Sequence, residues 1–256
     1  MRVMTWNIWD GGGERVPLIA EVIAAANPDV LLLNEADDEA VVADLARRLS
    51  YRHLWARGSG DKHIALLTRL PVVDWRVYNR RPFTQAILAA TLSLQSPGQP
   101  STGAVVQLFG VHLLPYFMLL PYEFARWRTV RALLGLCARE AEIPQLLFGD
   151  FNAASAGEHA DTRVFSKAMQ ARLRLQGNFQ PRFALRQILM AGYTDCFRQL
   201  HPQNPGQTWM PWAPCARLDY IFADPHMAQR LRACDVLTAA PAGQASDHFP
   251  LLAEFA

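Results

Sequence analysis

Several short fragments carry the side chains that could do chemistry. Ser246-Asp247-His248-Phe249-Pro250, Gly149-Asp150-Phe151-Asn152 and Arg217-Leu218-Asp219-Tyr220-Ile221 supply carboxylates, an amide and an imidazole. Trp6-Asn7 and Glu35 come from the first part of the chain, and His112 sits in Val111-His112-Leu113. Cleaving a phosphoester needs neutralised phosphoryl oxygens, an oriented water and a stabilised leaving oxygen. Carboxylates around a hard cation, with amides and imidazoles beside them, supply all three. Each fragment also has a plainer explanation. Glu35 stands beside Asp37, Asp38 and Glu39 as a solvated acid would, Asn7 suits a strand-ending turn, and a lone strand histidine is more often structural. The weight lies in their order along one chain.

That ordered set, with Glu35 in place, resembles the endonuclease/exonuclease/phosphatase superfamily over nearly the full chain. The resemblance implies a four-layer α/β/β/α sandwich of two stacked mixed sheets with outer helices. It also implies metal-dependent phosphoester hydrolysis, with Mg²⁺ as cofactor and Mn²⁺ as a substitute. Glu35 is the expected Mg²⁺ ligand, since that ion is held through one or two carboxylates and several waters. Asn7 would support the metal shell or bond a phosphoryl oxygen, and Asp247 would join that shell or orient it. By the same resemblance His248 is general base or transition-state stabiliser, with Asp219 on its other ring nitrogen. Asp150 would orient or deprotonate the attacking water, Asn152 would bond a non-bridging oxygen, and His112 would touch the phosphate. Whether Asp150 or His248 takes the proton stays open.

The elements that must position these groups can be read from periodicity. Val3 to Ile8 reads as a strand, broken by Gly11-Gly12-Gly13. Pro17 then opens a helix with Ile19, Val22, Ile23 and Ala26 on one face. Asp29 to Asn34 is a continuous apolar run of buried-strand length, which puts Glu35 at a strand's carboxyl end. A helix over Asp37 to Leu49 follows. Strand-like runs at Ile64–Thr68, Val72–Tyr78, Ala86–Leu94 and Ala104–Leu113 resemble an antiparallel meander. Glu123 to Arg139 reads as a helix burying Trp127, Val130, Leu134 and Cys137, and Leu146-Leu147-Phe148 as a strand leading into Asp150. Residues 153–192 are polar and partly helical. Leu218–Phe222, Cys234–Thr238 and Phe249–Phe255 close the pattern as strands. No linker or repeat divides residues 1–256, so one α/β (α+β) domain is expected.

Composition excludes more than it assigns. The 256 residues are 51% hydrophobic, ample for a large core, and the net charge of +2 permits an anionic substrate without demanding a nucleic-acid partner. Cys137, Cys196, Cys215 and Cys234 form no C-x-x-C pair, which suggests neither a zinc site nor a redox motif. No secretion signal or membrane span is visible, so a cytoplasmic protein is expected, with a monomer favoured.

Substrate choice is less legible. Leu113-Leu114-Pro115-Tyr116-Phe117-Met118-Leu119-Leu120-Pro121 follows His112 and could bury, meet a lipid interface or stack Tyr116 and Phe117 on a splayed base. Arg163, Lys167, Arg172, Arg174, Arg182 and Arg186, interleaved with Phe165, Phe179 and Phe183, suit single-stranded nucleic acid or form an ordinary solvated face. Tyr116, Arg126, Trp209 and Arg217 are the candidate substrate contacts. Trp209, Trp212 and Leu218 surround the segment that builds the sugar pocket in abasic-site nucleases, although His112 departs from that branch. The expected substrate is DNA or RNA; the alternative is a phospholipid, as in sphingomyelinases, or a small organic phosphodiester or phosphomonoester.

Overall fold

A computed structural model describes residues 1–58, 60–94, 104–116, 118–155 and 157–256. Strand β1 (Arg2–Asn7) shows how the sequence builds the layers. Side chains alternate between the two faces of a strand. Val3, Thr5 and Asn7 therefore share one face, while Met4 and Trp6 share the other with the following Ile8. The second set packs under helix α1 (Val16–Ala26) with Ile19, Val22, Ile23 and Ala26, the face expected from sequence. The first set looks toward a second sheet, where Val3 joins a core built from both sheets.

The first sheet has the order β11-β12-β1-β2-β4-β3. Its members are β1, β2 (Val30–Asn34), β3 (Arg52–Ala56), β4 (Ile64–Thr68), β11 (Leu231–Val236) and β12 (Leu251–Phe255). The second has the order β5-β6-β7-β8-β10-β9. It contains β5 (Val72–Tyr78), β6 (Ile87–Ser93), β7 (Val105–His112), β8 (Gln145–Asp150), β9 (Thr194–Asp195) and β10 (Asp219–Ala223). β1 and β2 run parallel, as do β7 and β8, and the other pairings are antiparallel. α1 and α2 (Glu39–Arg48) cover the first sheet. α3 (Leu120–Cys137) and α5 (Phe183–Met190) cover the second, with α4 (Lys167–Leu175) beside the cleft. The result is the α/β/β/α sandwich.

The differences from the sequence reading have physical reasons. β3 carries Arg52 and His53 at its start, which hid it, and the meander is confined to β5-β6-β7 because β4 pairs with β2 and β3 instead. α3 starts at Leu120, with Pro121 in its first turn, where a missing N–H costs nothing. Its buried face holds Val130 and Cys137 as expected, but Trp127 and Leu134 are only half-buried; Glu123, Arg126 and Leu133 take their place. A buried ion pair occupies that seam, a feature hydrophobic periodicity cannot show. Phe117 lies outside the described residues.

Between the sheets, Leu32, Leu66, Leu88, Leu108, Leu146, Phe148, Ile221 and Leu251 form a dry seam. Two glycines let the layers close. A Cβ on Gly110 would come within 2.5 Å of Leu32, and one on Gly149, at φ 142°, would lie 1.9 Å from the Val111 carbonyl oxygen.

Candidate active site

The apolar seam ends in polar residues, and the parity of each strand explains which. Asn7 follows Val3 on β1, Asn34 follows Leu32 on β2, His112 follows Leu108 on β7, and Asp150 follows Phe148 on β8. Asp219 opens β10 on the face that Ile221 continues. Five strands thus turn polar at one rim of the interface between the sheets. Asn34 joins the sheets there: Nδ2 donates to the Val111 carbonyl (2.8 Å), while Oδ1 accepts from the Asp150 backbone N–H (3.2 Å).

Asp150 lies at the centre. The Asn152 N–H donates to its Oδ1 (2.8 Å), and the amides of Asn7 and Asn152 each donate to Oδ2 (3.1 Å). Two imidazoles face the same oxygen, His112 Nε2 at 3.8 Å and His248 Nε2 at 4.0 Å. His248 Nδ1 is 2.8 Å from Asp219 Oδ2. Among the described residues, Asp219 Oδ1 and His112 Nδ1 are buried without a hydrogen-bond partner. His248 is held by its backbone, with the Trp6 indole donating to its carbonyl (2.8 Å) and its N–H donating to Ser246 Oγ (3.2 Å). Ser246 in turn donates to the Asn7 carbonyl (2.6 Å).

Burial sets the charges. It pushes the Asp150 carboxyl well above the usual carboxylate range, and the neighbouring Asp219 adds to the shift. Burial also opposes a charged His248, but the Asp219 charge and hydrogen bond, joined by Asp150 and Asp247, prevail and push the imidazole up to about 10. His112 goes the other way: burial lowers it to about 4, so this ring is neutral near pH 7. One imidazole is cationic and the other neutral, on either side of one carboxylate.

Glu35 occupies the neighbouring part of the cleft. Oε1 accepts from Asn7 Nδ2 (3.2 Å), and Oε2 accepts from the Asp10 N–H (2.9 Å) and Lys62 Nζ (2.7 Å). Lys62 also pairs with Asp10 and, at 3.4 Å, with Asp37. Burial favours the neutral acid, yet these donors outweigh it and bring Glu35 down to about 2. An ammonium among three carboxylates acts as a stand-in for a metal ion. The carboxylates of Asp10, Glu35 and Asp37, with Asp247 lining the same cleft, form an all-oxygen set that suits a hard divalent cation, whereas Asn7, expected as a metal ligand, turns its Nδ2 to Glu35 and its Oδ1 to the Trp9 N–H.

The cleft has a volume of about 360 Å³, and its other wall is apolar, formed by Pro115, Tyr116, Met118, Phe165, Met169, Trp209 and Leu218. Phe165 stacks on Trp209 (5.9 Å between centroids, 23° between planes), and Trp209 hydrogen-bonds Asp247. Backbone strain collects around the cleft. Trp9, Asp10, Glu35, Tyr116 and Asn152 all have φ between 47° and 65°, a region that side-chain-bearing residues seldom adopt.

Residues 4–248 match the model of the Endonuclease/Exonuclease/phosphatase family. The chain belongs to this family. As a member it is a hydrolase acting on phosphoester bonds. No curated protein sequence matches it. Among solved structures it is similar to an AP endonuclease from Archaeoglobus fulgidus, at TM-score 0.77 and 18% identity over 100% of this chain and 99% of that one. It is also similar to the 3′ phosphatase NExo from Neisseria bound to a product DNA hairpin, at TM-score 0.75 and 21% identity over 100% and 99%. The human Nocturnin catalytic domain with bound sulfate gives 0.66 and 22% over 100% and 93%. At such identities these are likenesses of fold.

Within this family member, Asn7, Glu35, His112, Asp150, Asn152, Asp219, Asp247 and His248 come together as the sequence reading expected, and Tyr116 and Trp209 line the same cleft. Two expected substrate contacts do not reach it. Arg217 is buried, bound to Asp195 (2.8 Å) and Glu158 (3.0 Å) and packed over the Tyr220 ring. Arg126 is buried, paired with Glu123 (3.0 Å), and donates to the carbonyls of Leu114 (2.7 Å) and Pro115 (3.1 Å). It fixes the loop that carries Tyr116. Asn152 also differs, because its amide hydrogens go to Asp150 and the Leu113 carbonyl (3.0 Å), so it holds the acid in place. Of the basic stretch, Arg163 pairs with Asp161, and Arg186 lies in a separate apolar depression with Phe124 and Trp127. Lys62, Asp10 and Asp37 were missed: Lys62 belongs to no motif, and its approach to Glu35 depends on β4 pairing beside β2.

All four cysteines are buried and free. Among the described residues no helix is long and apolar enough to cross a membrane.

Proposed function

We propose that this chain is a Mg²⁺-dependent phosphodiesterase that cleaves nucleic acid. The observation that carries this reading is Asp150 Oδ2, flanked by His112 and His248 and set beside the cation-holding Glu35. Glu35, with Asp247 alongside, would hold the divalent ion, which would supply charge neutralisation at the phosphoryl group; Mn²⁺ has the same hard-oxygen preference.

The chain's own groups do the rest. Asp150, raised by burial, is a stronger base than an exposed carboxylate, and it takes the proton from the attacking water as that oxygen bonds to phosphorus; the ester P–O bond breaks and the leaving oxygen takes a proton from solvent. His248 is not the base, because Asp219 keeps it cationic; its Nε2–H stabilises the charge that grows on the phosphoryl oxygens. Neutral His112 donates a hydrogen bond to the same group without adding charge. Asn7 and Asn152 hold Asp150 in line. The aromatic and aliphatic wall formed by Tyr116, Phe165, Trp209 and Leu218 suits the flat base and the apolar face of the sugar of a nucleotide beside its phosphate. The Neisseria neighbour bound to a DNA hairpin supports that substrate class. A cytoplasmic location and a monomeric state accompany this reading.

A panel of single-stranded DNA, plasmid, RNA, sphingomyelin vesicles and a chromogenic diester, each with Mg²⁺ and with excess chelator, tests it. Cleavage of a nucleic acid that chelation stops is the expected result. Cleavage of sphingomyelin alone overturns the substrate, and full activity in chelator overturns the metal.

A further inference from the structure

Trp9 and Trp212 stand exposed (40% and 62%), with ring centroids 6.2 Å apart and planes tilted by 43°. Neither lines the cleft itself, but each is tied to it. The Trp9 N–H donates to Asn7 Oδ1 (3.0 Å), and the next residue, Asp10, donates its N–H to Glu35. Trp212 lies on the turn between Trp209, which hydrogen-bonds Asp247, and Ala216, which bridges to Trp209.

The backbone is bent to place Trp9 there. Its φ of 56° and the 48° of Asp10 are two successive left-handed positions, which cost about 1–2 kcal/mol apiece. Arg15 holds the bend. Its guanidinium donates to the carbonyls of Ile8 (3.1 Å), Ala245 (3.0 Å) and Trp9 (2.5 Å) and lies 4.6 Å from the Trp9 ring centroid. A large apolar ring is thus fixed in water on the strand-end turn that organises Glu35.

We propose that Trp9 and Trp212 form an aromatic clamp for one unpaired nucleobase next to the phosphate being cleaved, a reading that rests on the phosphodiesterase function above. A flat ring between two others needs two van der Waals contacts of about 3.5 Å, or roughly 7 Å in all. The present 6.2 Å wedge reaches that by a small outward turn of Trp212, the more exposed partner. Arg15, 4.6 Å from the Trp9 ring centroid, adds positive charge beside the clamp that favours a phosphate-bearing strand. The clamp reads stacking rather than base edges, so it tolerates any base and favours single strands or frayed ends.

The test compares the parent with Trp212→Ala and with Trp9→Phe, which keeps a stacking ring. Substrates are a single-stranded DNA oligonucleotide, the same backbone carrying base-free spacers, and sphingomyelin vesicles. Trp212→Ala is expected to raise KM for the base-bearing strand about tenfold, within the range for loss of one stacked base. The kcat and the turnover of the base-free strand should not change, and Trp9→Phe should stay near the parent. Oligonucleotide binding is also followed in chelator by quenching of tryptophan fluorescence, which needs no catalysis and separates the clamp from the hydrolytic reading. Equal quenching constants for parent and Trp212→Ala overturn the clamp even if DNA is cleaved. Loss of vesicle binding in Trp212→Ala with no effect on oligonucleotides overturns it in favour of a lipid contact.

Discussion

The ammonium of Lys62 lies 2.7 Å from the carboxylate of Glu35, the residue proposed above to hold the divalent cation. A lysine and a metal cannot both stand there without strong like-charge repulsion. Lys62→Met should therefore tighten Mn²⁺ binding at least tenfold by isothermal titration. It should also lower the melting temperature in chelator, where three carboxylates lose their counter-charge, and the added ion should restore it. Unchanged affinity would show that the metal binds elsewhere.

Glu35→Gln removes the fixed negative charge proposed above to hold the cation. Hydrolysis should fall by at least about three orders of magnitude, the scale of a lost transition-state charge contact, while the circular dichroism spectrum stays that of the parent. Activity within tenfold of the parent would move the ion to another residue.

The opposed environments of Asp150 and His248 predict a bell-shaped dependence of kcat/KM on pH. The acid limb rises as Asp150 loses its proton, later than an exposed aspartate would; the alkaline limb falls as His248 loses its own, near about 10 in the absence of metal. Asp219→Asn removes the charge that keeps the imidazole protonated, so the alkaline limb should move toward the ordinary histidine value of about 6.5. The same shift acts on the fold. A histidine raised in the native state contributes stability that is complete below about pH 6.5 and lost as pH rises through about 10. Asp219→Asn should flatten that decline in urea titrations.

Arg126 is a positioning residue. Arg126→Met removes the ion partner of the buried Glu123 in α3, at a cost of about 3–5 kcal/mol for a broken buried pair. It also frees the carbonyls of Leu114 and Pro115. Urea denaturation should show the loss, and Glu123→Gln in the same chain should recover most of it. Recovered stability with KM still raised would locate the remaining defect in the loop bearing Tyr116.

How much the sequence disclosed depended on whether the signal was local. The polar rim of the seam was readable, because Asn7, Asp150 and Asp219 each stand at a strand end in a recognisable fragment. The α1 face was readable from its spacing. Arg217 was misjudged because its motif neighbours Asp219 but its side chain turns to Asp195 and Glu158, partners distant in sequence. Arg126 was misjudged because a charged residue on a helix reads as solvated until its buried partner is seen. Lys62 and Asn34 act between strands or sheets, and only the topology brings them to their partners.

The Trp6 indole holds the His248 carbonyl, and β1 pairs with β12, so the imidazole is placed by a strand that comes late in the chain. During synthesis Glu35 leaves the ribosome long before His248. A nascent chain therefore holds Asp10, Glu35 and Asp37 while it still lacks the imidazole that pairs with Asp219. The site is complete only once β12 docks on β1 and His248 reaches Asp219 and Asp150.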